Sequence, residues 1–85
     1  MQRLGKVVHL SKSGRLILRA KTKARTGLVA MDEGLKTVGT VFDTFGPVVN
    51  PYISVRPSVQ DPERYVGQIL YVDEETEPRR KRNEY

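Results

Sequence analysis

Apolar and polar residues alternate along most of positions 3–72, and the spacing predicts short strands broken by turns. Leu4, Val7, Val8 and Leu10 mark a first strand over Arg3–Leu10. Ser11-Lys12-Ser13-Gly14 is a turn signal, and Arg15–Ala20 follows with Leu16 and Leu18 on one face and Arg15, Ile17 and Arg19 on the other. Together they predict a hairpin. Residues 21–27 read as a polar, basic loop, and Leu28–Met31 as a short apolar strand closed by a turn at Asp32-Glu33-Gly34. Lys36–Phe45 is the longest strand, with Val38, Thr40, Phe42 and Thr44 facing one way and Val41, Asp43 and Phe45 the other. Gly46-Pro47 breaks it, Val48–Pro51 connects, and Tyr52–Arg56 sets Ile53 and Val55 opposite Tyr52, Ser54 and Arg56. Pro57 ends that strand or marks an edge. Asp61-Pro62-Glu63-Arg64 predicts a helical turn, with Asp61 as cap and Pro62 at the first helical position. Gln68–Val72 is a last strand, with Ile69 and Tyr71 opposite Leu70 and Val72. Six short strands cannot make two large sheets. The expected fold is all-β, a small six-stranded closed or partly closed barrel with one short helical turn.

Length and composition narrow the class. The chain has 85 residues, read as one barrel domain over 1–72 and a charged tail over 73–85, expected to be flexible. With no cysteine, a disulfide scaffold, a thiolate metal site and a Cys nucleophile are excluded. No apolar run approaches the roughly 20 residues of a membrane-spanning helix. Met1–Leu10 lacks the continuous apolar stretch of a signal peptide, so a cytoplasmic, intracellular location is expected.

The net charge is +5, and it is uneven: residues 1–25 hold eight Lys or Arg and no acid. Such a stretch points to nucleic acid or an acidic partner. Lys6, Lys12, Arg15, Arg19, Lys21, Lys23 and Arg25 offer phosphate contacts or form a solvated face, and no aromatic residue is interleaved among them to stack a base. Asp73 to Glu77 is acidic, and Arg79, Arg80, Lys81 and Arg82 make a short basic run.

Catalytic chemistry is sparse. His9 is the only histidine, and no second metal ligand can be nominated for it. Asp32-Glu33 and Asp73-Glu74-Glu75 read as solvated charge in a turn and a tail, not as an acid–base pair. The glycines are dispersed, and no phosphate-cradling loop assembles from them. The expectation is a protein that is not an enzyme, with no catalytic residue, metal or cofactor.

The informative stretch is Gly39–Pro57. Pro47, Pro51 and Pro57 each lack a backbone donor and present rigid apolar surface. Val48, Val49, Pro51, Tyr52 and Pro57 either form an exposed patch for a protein partner, or Val48 and Tyr52 close the end of the barrel core.

These residues resemble a known family. Gly39, Val41, Asp43, Phe45-Gly46-Pro47-Val48 and Pro51-Tyr52, followed by Ile53-Ser54-Val55 and Pro57, look like the small GAR-type subunit of the H/ACA ribonucleoprotein in its short archaeal form. Leu4-Gly5-Lys6-Val7, His9-Leu10-Ser11, Asp61-Pro62 and Val66-Gly67-Gln68-Ile69-Leu70-Tyr71 support the likeness, which spans residues 2–72. The Gly-Arg-rich arms of eukaryotic members have no counterpart here. The resemblance implies a six-stranded barrel that binds the catalytic pseudouridine synthase subunit and biases its mobile substrate-gripping loop. Substrate RNA loading and product release would benefit, in rRNA pseudouridylation and ribosome biogenesis.

By position, the resemblance places the synthase contact at Phe45, Gly46, Pro47, Val48, Pro51, Tyr52, Ile53, Val55 and Pro57. Gly46 would permit a tight strand exit, and Asp43 would pair or cap locally. Guide RNA and substrate rRNA would be met mainly indirectly, with Lys21, Lys23, Arg25, Arg79, Arg80, Lys81 and Arg82 as candidate direct contacts. No membrane is involved, and the same apolar patch offers itself to a second copy of the free chain. The alternatives are a stand-alone RNA-binding small β-barrel and an enzyme related to flavin-binding or translation-factor barrels.

Overall fold

The computed structural model describes residues 2–21 and 24–72. Six antiparallel strands close into a barrel: β1 (Gln2–Leu10), β2 (Leu16–Arg19), β3 (Val29–Met31), β4 (Thr37–Phe45), β5 (Tyr52–Pro57) and β6 (Ile69–Val72). Their order around the barrel is β1-β2-β5-β4-β3-β6, with β6 bonded to β1 on one side and β3 on the other. All six predicted strands are present, each within about a residue or two of its expected bounds.

The core holds Leu4, Val7, Leu16, Leu18, Leu28, Val38, Val41, Ile53, Val55, Leu70 and Val72. Three alternations hold as expected: Leu16 and Leu18 point inward on β2, Ile53 and Val55 on β5, and Leu70 and Val72 on β6. The faces of β4 do not. Val38 and Val41, expected on opposite faces, are both buried, and Phe42 is exposed. β-Bulges are the cause. Against β3 the ladder skips Val38, and against β5 it skips Phe42. β1 has the same two interruptions, at Leu4 against β6 and at Val8 against β2.

Each bulged strand passes close to a neighbour at a glycine. A Cβ at Gly39 would collide with the Arg56 carbonyl oxygen and lie 2.8 Å from Pro57 Cα. One at Gly5 would collide with the Arg19 carbonyl oxygen. Only glycine permits this approach.

The predicted helical turn is a 3-10 turn over Pro62–Tyr65. Asp61 does not cap it through its side chain; its carboxylate sits 3.7 Å from Arg64 instead. The turn buries Tyr65 in the core, and the Tyr65 hydroxyl donates to Asp32 Oδ2 at 3.1 Å. Asp32 Oδ1 accepts from the backbone N–H groups of Gly34 and Lys36 at 2.9 and 3.0 Å, which shapes the turn between β3 and β4.

Candidate docking surface

The outer face of β1-β2-β5-β4 is built in rows. One row runs Lys6, Arg19, Tyr52, Phe45, and the next His9, Ile17, Ser54, Asp43. Tyr52 and Phe45 stack with ring centroids 5.6 Å apart and planes at 21°. The Arg19 guanidinium lies 5.0 Å from the Tyr52 ring centre, and its Nη1 donates to the Tyr52 hydroxyl at 3.1 Å. Arg15 sits 3.9 Å over the Phe42 ring. The basic stretch therefore does have aromatic neighbours. They come from β4 and β5, which the ladder sets beside β2.

Between these polar residues lies an apolar strip. Ile17 points outward yet is buried, and with Val8, His9, Ser11, Phe45 and Tyr52 it lines a shallow groove of about 470 Å3. Ser54 is only 6% exposed, and its hydroxyl has no hydrogen-bond partner among the described residues.

The loop from Gly46 to Pro51 rises at the end of this face. Gly46 adopts φ +92°, a left-handed conformation, as β4 ends, with a Cβ position only 3.1 Å from the Tyr52 ring. At the other end Pro51 is buried, and its carbonyl accepts from Ala20 N–H at 3.0 Å. Between these anchors Val48 is 86% exposed and Val49 72%. The loop tip thus stands clear of the core, and Val48 does not close the barrel end.

The nine expected contact residues divide accordingly. Phe45, Gly46, Pro47, Val48 and Tyr52 share this surface, and Pro51 anchors it. Ile53 and Val55 do not belong to it: both are fully buried, because alternate residues of β5 face the interior. Pro57 lies at the far end of β5, opposite Gly39, about 17 Å along the strand from Tyr52. Val8, Ile17, Phe42 and Val49 belong to the surface and were not in that set. The outward turn of Val8 and Phe42 follows from the bulges, which an alternation pattern does not mark.

The other candidates are scattered. Asp43 Oδ1 accepts from Thr44 N–H at 2.8 Å, a local cap. His9 is exposed on β1, and no cluster able to hold a metal occurs among the described residues. Lys21 is exposed and lines a second cleft with Arg3, Lys6 and Arg19. Arg25 is exposed but lies away from that cleft. Lys23, Asp73, Glu74, Glu75, Arg79, Arg80, Lys81 and Arg82 lie outside the described residues.

No known protein-family pattern matches the chain. The chain is 41% identical over 76 residues to an uncharacterized protein of Methanothermobacter thermautotrophicus, covering 85% of this chain and 83% of that one. It is 39% identical over 57 residues to an uncharacterized protein of Methanocaldococcus jannaschii, covering 67% of this chain and 69% of the other. At that identity, over that share of each length, the chain belongs to one protein family with these two archaeal proteins.

Proposed function

We propose that this protein is a non-catalytic accessory subunit of a box H/ACA ribonucleoprotein, with no cofactor of its own. It docks on the catalytic pseudouridine synthase and biases that enzyme's substrate-gripping loop. Substrate RNA then loads and product leaves more readily during rRNA pseudouridylation and ribosome biogenesis in the cytoplasm. The observation that carries the reading is the 46–50 loop, held at its base by the Phe45–Tyr52 ladder pair and by Pro51, and presenting Val48 at 86% and Val49 at 72% exposure. Two aliphatic side chains so exposed on an anchored loop, beside a stacked aromatic pair, have the make-up of an interface centre. Preorganisation by the anchors lowers the ordering cost of docking.

Calorimetric titration into the purified synthase tests it. Submicromolar binding without RNA is expected, with a loss of at least about 30-fold for Val48→Glu and for Tyr52→Glu. Val48→Glu is the cleaner variant, since its side chain touches little in the free protein. Failure of the wild-type protein to bind the synthase would overturn the reading.

A further inference from the structure

Arg3, Lys6, Arg19 and Lys21 wall a cleft of about 570 Å3, with Asn50 at its loop end and Leu4, Gly5 and Ala20 as its buried floor. Among the described residues no carboxylate lines it. Among the described residues Arg3, Lys6 and Lys21 have no acidic partner within 4.0 Å. Lys6 and Arg19 are direct cross-strand neighbours in the β1–β2 ladder. Like charges placed so destabilise a sheet. The fold thus brings four cations together from β1 and the end of β2, and among the described residues it sets no counter-charge beside them. Such an arrangement is at its most stable with an anion in place.

The surroundings say which anion. The floor is apolar, and Arg19, on the cleft wall, is held by the Tyr52 hydroxyl and lies over the Tyr52 ring. Cations along a groove with the Tyr52 ring at its margin suit a single strand, whose phosphates and bases are both within reach. An acidic peptide would use the charges but not the aromatic margin. We propose that this cleft seats the sugar–phosphate backbone of single-stranded RNA. The cleft shares Lys6 and Arg19 with a row of the docking surface, and the two readings are told apart because RNA binding is measured on the chain alone, without the synthase.

The test uses the full chain and a fluorescein-labelled oligouridylate of about 12 nucleotides, followed by anisotropy. Four phosphate contacts on a single strand predict a log–log salt slope near −2.8, or a loss of about 50-fold in affinity between about 50 and about 200 mM salt. Lys6→Glu is expected to weaken binding at low salt by at least about 10-fold and to flatten the slope by about 0.7 or more. The same substitution places a carboxylate opposite Arg19, so its melting midpoint should rise by about 1–8 °C. Weaker binding with a higher midpoint separates a lost RNA contact from a damaged fold. Lys21→Gln, on an exposed side chain, supplies a second variant that leaves folding untouched and should flatten the slope by about 0.7. Three results would each overturn the proposal: unchanged affinity in both variants, loss confined to a chain neutralised at Arg79, Arg80, Lys81 and Arg82, or equal competition by polyglutamate.

Discussion

Asp32 and Tyr65 show how much one side-chain pair does in a barrel this small. The Lys36 N–H is the chief reason the Asp32 carboxyl is held below the usual carboxylate range, with the Tyr65 hydroxyl and Gly34 N–H adding to it against partial burial. Burial chiefly, and then the Asp32 carboxylate, push the Tyr65 phenol above its ordinary value. A carboxyl lowered on folding stabilises the native state fully above its unfolded pKa, and that stability goes as pH falls through the folded value. The Tyr65 contribution is complete below about pH 10 and is lost as pH rises through its raised value. Tyr65→Phe removes one of the groups that lower Asp32. We expect it to cost about 1–3 kcal/mol at neutral pH and to move the acid-unfolding midpoint to higher pH. Circular dichroism across an acid titration measures both, and an unmoved acid limb would show that Tyr65 does not act through Asp32. The turn at Asp32-Glu33-Gly34 was legible from residue types alone. Its link to Tyr65 was not, because 33 positions separate the partners and only barrel closure joins them.

At the scale of the strand, β1 and β4 share a local pattern. Leu4-Gly5-Lys6-Val7-Val8 and Val38-Gly39-Thr40-Val41-Phe42 each run apolar, Gly, polar, Val, apolar. In both, the first residue and the Val are buried, the Gly meets a neighbouring backbone, and the last residue bulges outward. Strict alternation reads these strands correctly as strands and wrongly as to face, since each bulge advances the side-chain phase by one. Val38 and Phe42 show the error most clearly, expected on one face and found on two. The recurrence of the five-residue pattern was the available signal for it. Gly39→Ala should cost about 1–3 kcal/mol, because β5 would have to retreat from the added methyl. Urea unfolding checks this, and a loss under about 0.5 kcal/mol would show that the close approach relaxes freely.

Across the whole molecule, the ladder order maps onto itself when β1 is exchanged with β4, β2 with β5 and β3 with β6. Strand number and short turns made a barrel the expected answer. The strand order was not legible, because joining β2 to β5 and β6 to both β1 and β3 depends on contacts remote in sequence. The candidate surface was half legible for the same reason. Phe45 to Tyr52 is one contiguous motif, whereas the cationic neighbours of its rings arrive from β2. We also propose that the 46–50 loop pairs two free copies of the chain. Burying Val48 and Val49 works against a net charge of +5 on each copy, so salt should raise the dimer fraction while it weakens RNA binding. Sedimentation velocity at two ionic strengths reads this directly; a monomer under all conditions, or a dimer untouched by Val48→Glu, would refute it.

β6 has four residues and serves as the clasp of the ring, with Val72 opposite both Gln2 and Ala30. A chain made from its amino terminus therefore completes β1 first and must wait for its final strand before that edge is covered. Hairpins β1–β2 and β3–β4–β5 can form early from near neighbours, but neither encloses the core. Until residues 69–72 exist, β1 and β3 both present unpaired backbone along an edge, the state most open to pairing with a stranger. The order of synthesis thus exposes this fold to misassembly for nearly the whole time it is being made, and its commitment to one structure comes with its last four ladder residues.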